Sequence, residues 1–194
     1  MRILRASDRI AVPWKNGGGT TSEVAVYPDG ASFDDFGWRI SIAQIAKGGP
    51  FSTFPGIDRK LAMLDGRVTL TIAGQDVVAL SPASPPAIFP GDAPTSAELV
   101  EGPATDLNVM TRRGAFTARM ERCRLSGCDL AASRDAAARF CFPRASTSVS
   151  HHDDTIRLAP DDALLFDTED TERLSFSGDV DALWIEIRRK NPTK

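Results

Sequence analysis

A chain of 194 residues with 42% hydrophobic content can form one domain, or two small ones sharing a core. Its formal charge of −3 supplies no global positive field, which argues against duplex nucleic acid as a main partner and leaves small anions to local arginines. No run of about eighteen apolar residues predicts a membrane span. Residues 1–9 interrupt their apolar content with charges, unlike a signal peptide, so the cytoplasm is the expected compartment. Cys123, Cys128 and Cys141 are odd in number and sparse, which fits buried or inert thiols better than a disulfide framework or zinc knuckle.

In chain order, the first notable stretch is Trp14-Lys15-Asn16-Gly17-Gly18-Gly19-Thr20-Thr21-Ser22-Glu23. Three consecutive glycines are entropically expensive to order, so a close backbone approach, to a ligand or within the protein, is expected there. Beyond it, short segments alternate at period two between glycines and prolines, which predicts a mostly β chain. Strands are expected over residues 23–27, 38–45, 87–89, 97–101, 107–111, 116–125, 155–158, 163–166, 173–176 and 182–187. Asp65-Gly66 lies between two strand-like runs, 61–64 and 67–72, and predicts a tight hairpin. In the second run Val68, Leu70 and Ile72 share the packed face. The one helix candidate is 129–139, although Phe140-Cys141-Phe142 beyond it reads as strand. Pro90-Gly91-Asp92 and Pro160-Asp161-Asp162 sit in two similar stretches divided near Gly114, which suggests two barrel halves.

Metal catalysis in a small β barrel needs two or three converging histidines. This chain has only His151 and His152, adjacent and therefore on opposite faces of any strand, so no metal is expected. There is no Gly-x-Ser-x-Gly elbow and no cysteine in an electropositive setting beside histidine. Glu23 and Asp106 are the candidates for acid/base catalysis, with a structural carboxylate as the commoner role. The glycine run is not a Walker-type loop, because Lys15 precedes the glycines and a β-like stretch follows them. It is either an anion nest or a turn leading into the next strand.

Two strands carry polar residues on one face. Period two groups Arg39, Ser41 and Ala43 opposite Trp38, Ile40 and Ile42, and groups Asp106, Asn108 and Met110 opposite Leu107 and Val109. Those faces either line a polar pocket or face solvent. The loop 48–59, with Phe51, Phe54 and Arg59, suits the mouth of a pocket or a crossover capping the core.

Taken together, Pro13 to Thr20 with Glu23, Trp38-Arg39-Ile40-Ser41-Ile42-Ala43, Gly49-Pro50-Phe51-Ser52, Phe54 to Arg59, Leu64-Asp65-Gly66, Phe89-Pro90-Gly91-Asp92 and Asp106 to Arg113 resemble the HutD/Ves family of bacterial cupin-like proteins. The motifs fall in order over about the first 114 residues. The resemblance implies an all-β bicupin, two small antiparallel barrels of RmlC-like jelly-roll type in one compact unit, with residues 1–114 and 115–194 as its halves. It implies no metal or other cofactor, no established reaction, and a regulatory or accessory role in histidine utilisation or stress response. The implied ligand is a small anionic metabolite such as urocanate or N-formylglutamate. On matching positions, Lys15, Arg39, Arg59 and Arg112 are the cationic partners. Asn16, Ser41, Ser52 and Asn108 are hydrogen-bonding neighbours, and Trp14 and Phe51 are apolar walls. Arginine suits this role because its planar fork binds a carboxylate through two parallel hydrogen bonds. A metal-independent isomerase or hydrolase using Glu23 or Asp106, and a protein-interaction module, are the alternatives. No membrane or nucleic-acid partner is expected, and a homodimer is the expected assembly.

Overall fold

A computed structural model describes residues 1–125, 135–151, 154–166 and 175–190. The chain opens with β1 (Arg2–Leu4), a 3-10 turn at Ala6–Asp8 and β2 (Ala11–Pro13). Next come β3 (Gly19–Tyr27), β4 (Trp38–Ile45), β5 (Gly49–Pro50), β6 (Ile57–Asp65) and β7 (Val68–Ile72). β8 (Val78–Leu80), β9 (Ala87–Pro90), β10 (Thr95–Leu99), β11 (Ala104–Arg112) and β12 (Phe116–Leu125) follow. The remaining strands are β13 (Ala136–Pro143), β14 (Thr147–His151), β15 (Asp154–Leu158), β16 (Ala163–Phe166), β17 (Ser175–Phe176) and β18 (Val180–Arg189). Among the described residues no helix is long and apolar enough to cross a membrane.

The strands divide into two units. One, residues 10–118 with Lys190, holds a six-stranded sheet ordered β2-β3-β4-β11-β6-β9 and a four-stranded sheet ordered β5-β10-β7-β8. The other, Met1–Arg9 with Arg119–Arg189, holds a five-stranded sheet ordered β1-β16-β13-β18-β12 and a three-stranded sheet ordered β15-β14-β17. The grouping of Met1–Arg9 with the later part of the chain is not legible in the sequence. It follows from pairing: β1 runs antiparallel to β16, and both Arg5 Nη1 and the Ala6 amide donate to the Asp162 carboxylate, at 2.8 and 2.7 Å.

In the unit of residues 10–118, alternation does what period two requires. β7 buries Val68, Leu70 and Ile72 and turns Thr71 to solvent, so those three meet Leu61, Met63 and Phe89 of the other sheet in one core cluster. Each such fully buried side chain contributes about 1.5–3 kcal/mol of hydrophobic stabilisation.

The hairpin expected at Asp65-Gly66 does not form. β6 pairs with β11 and β9, whereas β7 pairs with β10 and β8, so the two strands belong to different sheets. Gly66, at φ +71°, takes the chain from one sheet to the other, and a Cβ there would lie 2.7 Å from the Pro103 carbonyl. The Asp-Gly signal marks a left-handed corner, and only the sheet partners decide where the strand beyond it goes. The helix candidate 129–139 falls largely outside the described residues; its end, from Ala136, is already part of β13.

Candidate functional site

The polar residues of β4 and β11 share one face of the six-stranded sheet. Asn108 lies opposite Ser41 on one side and Leu61 on the other. Met110 lies between Arg39 and Arg59, and Asp106 between Ala43 and Met63. Directly opposed residues point the same way, so the register brings Arg39, Ser41, Arg59, Asp106 and Asn108 onto one surface. This surface is not a solvent face. Arg39 is 8% exposed, Ser41 2%, Arg59 5%, Asn108 5% and Asp106 1%.

Buried polar groups need partners, and here they form two sets. In the first, Arg59 Nη2 donates to Asn108 Oδ1 at 2.7 Å, and Asn108 Nδ2 donates to Asp106 Oδ1. Burial pushes the Asp106 carboxyl up to about 7, against the pull of Arg59 and Asn108. Burial also lowers the Arg59 guanidinium to about 10, against the pull of Asp106, which still leaves it charged at neutral pH. Arg59 Nε is buried without a hydrogen-bond acceptor.

In the second set, Arg39 Nε donates to Glu23 Oε2 at 2.8 Å and Nη1 donates to Ser41 Oγ at 3.3 Å. A register shift in β3 between Glu23 and Ala25 redirects the edge of the strand as a bulge does. Glu23 therefore pairs with Arg39 while its own side chain stays 45% exposed.

Aromatic rings roof both guanidinium groups. Phe33, 58% exposed, stands 4.7 Å from Arg39 Cζ and 5.9 Å from the Phe54 ring. Phe51, Phe54 and Phe89 lie 5.1, 5.7 and 5.0 Å from Arg59 Cζ. At these distances the ring quadrupole attracts a cation. The sequence assigns neither Phe33 nor Phe89 to the site, although Phe89 belongs to one of the family motifs. Phe33 sits in an irregular loop with no periodicity to mark it, and Phe89 reads simply as a core residue of its strand.

The glycine run closes the hairpin between β2 and β3. The Gly17 amide donates to the Trp14 carbonyl at 3.0 Å and the Gly18 amide to Asn16 Oδ1 at 2.9 Å. Both amides are thus engaged within the loop, which removes the anion-nest reading. Gly19 is required by contact, since a Cβ there would lie 2.2 Å from the Gln44 carbonyl. Trp14 Nε1 donates to Thr21 Oγ1 at 2.8 Å, fixing the indole beside the sheet.

A cavity of about 140 Å³ is lined by Trp14, Asn16, Gly18, Lys47, Phe51 and their neighbours. Arg39, Ser41, Arg59 and Asn108 are not among its lining residues. Phe51 belongs to both places, touching the cavity and standing over Arg59. Lys15, Asn16 and Ser52 are exposed. Arg112 donates to the carbonyls of Phe36 and Asp34, at 2.9 and 2.7 Å, so its guanidinium anchors the loop that carries Phe33. Among the described residues no three His, Cys, Asp or Glu side chains converge as a metal site requires. His152 and Asp153 lie outside the described residues.

Residues 6–184 match the HutD family. The chain belongs to that family. It is 38% identical over 122 residues to an uncharacterized 21.2 kDa protein in the hutC 3′ region of Pseudomonas putida, covering 62% of this chain and 63% of that one. It is likewise 38% identical over 112 residues to Protein Ves of Cronobacter sakazakii, covering 57% and 56%. The chain thus spans less than two thirds of the length of these curated relatives. HutD from Pseudomonas fluorescens SBW25 superposes with a TM-score of 0.75 at 29% identity, over 98% of this chain and 99% of that one. A cupin 2 conserved barrel domain protein from Leptotrichia buccalis superposes with a TM-score of 0.58 at 9% identity, over 91% and 92%, and shows the fold to be cupin-like.

Proposed function

We propose that this HutD-family chain is a metal-independent bicupin that holds a small carboxylate on Arg59 and Arg39, with an accessory or regulatory role in histidine breakdown. One observation carries the reading: two buried arginines share a sheet face under aromatic rings, and one of them keeps a buried Nε–H with no acceptor. A carboxylate is the natural complement, because it can take that donor together with a second guanidinium N–H. The HutD structure from P. fluorescens was determined in a formate condition, and formate is the smallest carboxylate. The relative in the hutC region favours histidine utilisation over stress response as the setting. Phe51 links the cavity to the arginine, since it lines the one and its ring stands 5.1 Å from Arg59 Cζ.

Calorimetric titration with formate, urocanate and N-formylglutamate tests this. Wild type binds at least one of them, and Arg59→Met, with folding checked by circular dichroism, weakens that binding by roughly 10- to 150-fold, the effect of removing a charged hydrogen-bond donor. Failure of every acid to bind wild type refutes the reading.

The second reading, an isomerase or hydrolase, is favoured by Asp106, whose carboxyl sits near neutrality as a catalytic acid/base requires. Turnover of any of these acids that disappears in Asp106→Asn or Glu23→Gln would establish it.

A further inference from the structure

Asp106 is fully buried, and the charged groups facing it can be enumerated strand by strand. β6 contributes Arg59, β4 contributes Arg39 and β3 contributes Glu23. β11 itself adds the neutral amide of Asn108. The four-stranded sheet packed against this face offers Val68, Leu70, Ile72, Leu80 and Ala97 with the hydroxyl of Thr95, none of them charged. Arg39 is already matched by Glu23. Arg59 has Asp106 as its counter-charge, relayed through the Asn108 amide.

The interior is therefore charge-balanced when Asp106 is ionised. An anion placed on the Arg59 Nε–H would leave one buried negative charge without a partner, and such a charge is strongly destabilising at low dielectric. Neutralising Asp106 restores the balance. The carboxyl can lose its charge and keep its place, since a protonated acid retains an oxygen to accept from Asn108.

We propose that anion binding at Arg59 and proton uptake by Asp106 are one coupled event, so that the site takes up a carboxylate and a proton together and releases its ligand as pH rises. The inference rests on the carboxylate-binding reading above and adds its regulation. The proton passes from solvent to a carboxylate oxygen of Asp106, and no bond of the ligand is made or broken. The near-neutral titration of buried Asp106 places the response within the physiological range.

Formate is the probe. Its binding to wild type is measured between pH 6 and 9 in two buffers of different ionisation enthalpy, so that the difference in apparent heat counts protons. Near pH 8 the expected uptake is close to one proton per formate, and the dissociation constant rises roughly tenfold per pH unit above pH 7. The ¹³C shift of the Asp106 carboxyl moves toward the protonated value as formate is added at pH 8. In Asp106→Asn the proton uptake and the pH slope both vanish while formate still binds. Formate binding to wild type with no proton uptake and a flat pH profile overturns the coupling and leaves the carboxylate site standing. A slope that persists in Asp106→Asn overturns the assignment to Asp106. No formate binding at pH 6, where Asp106 is neutral, overturns the site and the coupling together.

Discussion

Asp106 predicts a specific pH dependence of stability. Its ordinary value is 3.8 and burial in the fold raises it to about 7. The folded state therefore holds a proton that the unfolded chain releases, and stability falls with pH over that interval. The contribution is complete below about pH 4, is lost as pH rises to about 7, and is constant above that. A span of about three pH units, each worth about 1.4 kcal/mol, gives a penalty on the order of 4 kcal/mol at pH 8. Asp106→Asn removes the ionisation and keeps an oxygen for Asn108 to donate to. Urea unfolding followed by tryptophan fluorescence, run on both proteins from pH 4 to 8, isolates the effect from every other titrating group. The variant starts near parity with wild type and gains on it steadily, reaching several kcal/mol at pH 8. A difference that stays constant across the range, or that favours wild type as pH rises, refutes the assignment of a buried, near-neutral carboxyl to this position.

Gly19→Ala drives a methyl to 2.2 Å from the Gln44 carbonyl, a backbone atom that cannot swing aside. Overpacking of this kind costs about 1–3 kcal/mol, or a fall in Tm of roughly 3–10 °C for a chain this long. Gly49→Ala, where nothing lies within 4 Å, stays within about 0.5 kcal/mol of wild type in the same thermal melts. Burial pushes the Asp162 carboxyl up, but the amides of Ala6 and Ala159 and the Arg5 guanidinium hold it below its usual range. That carboxylate thus stabilises the fold above about pH 4, and the contribution is lost as pH falls through its lowered value. Asp162→Asn is expected to cost about 1–3 kcal/mol at pH 7 and progressively less toward pH 3, read from denaturant midpoints at the two pH values.

The polar sheet face shows how far local pattern reaches. Alternation grouped Arg39 with Ser41 and Asp106 with Asn108, because successive strand residues must point to opposite sides. It could not say that the two groups lie side by side on one face, since register is set by partners far away in sequence. Nor could it separate a buried polar face from a wet one, because that depends on what lies above the sheet. Arg112 illustrates the same limit. It follows the Asp106, Asn108, Met110 alternation, yet its guanidinium is taken by the carbonyls of Asp34 and Phe36.

The β character of the chain, most strand positions and the HutD-family motifs of its first 114 residues are legible in the residues alone. These are readable because dihedral preference, side-chain period and turn chemistry act over a few residues. Pairing between strands far apart in the chain fixed the rest. Asp65-Gly66 became a corner between sheets when β6 and β7 chose different partners. The glycine run became an internally bonded hairpin loop, with Gly19 held against Gln44. Arg59, Asn108 and Asp106 became a buried, charge-balanced set because β6 and β11, far apart in the chain, meet in one register, and that meeting removes water from a carboxyl that alternation alone cannot distinguish from a solvated one.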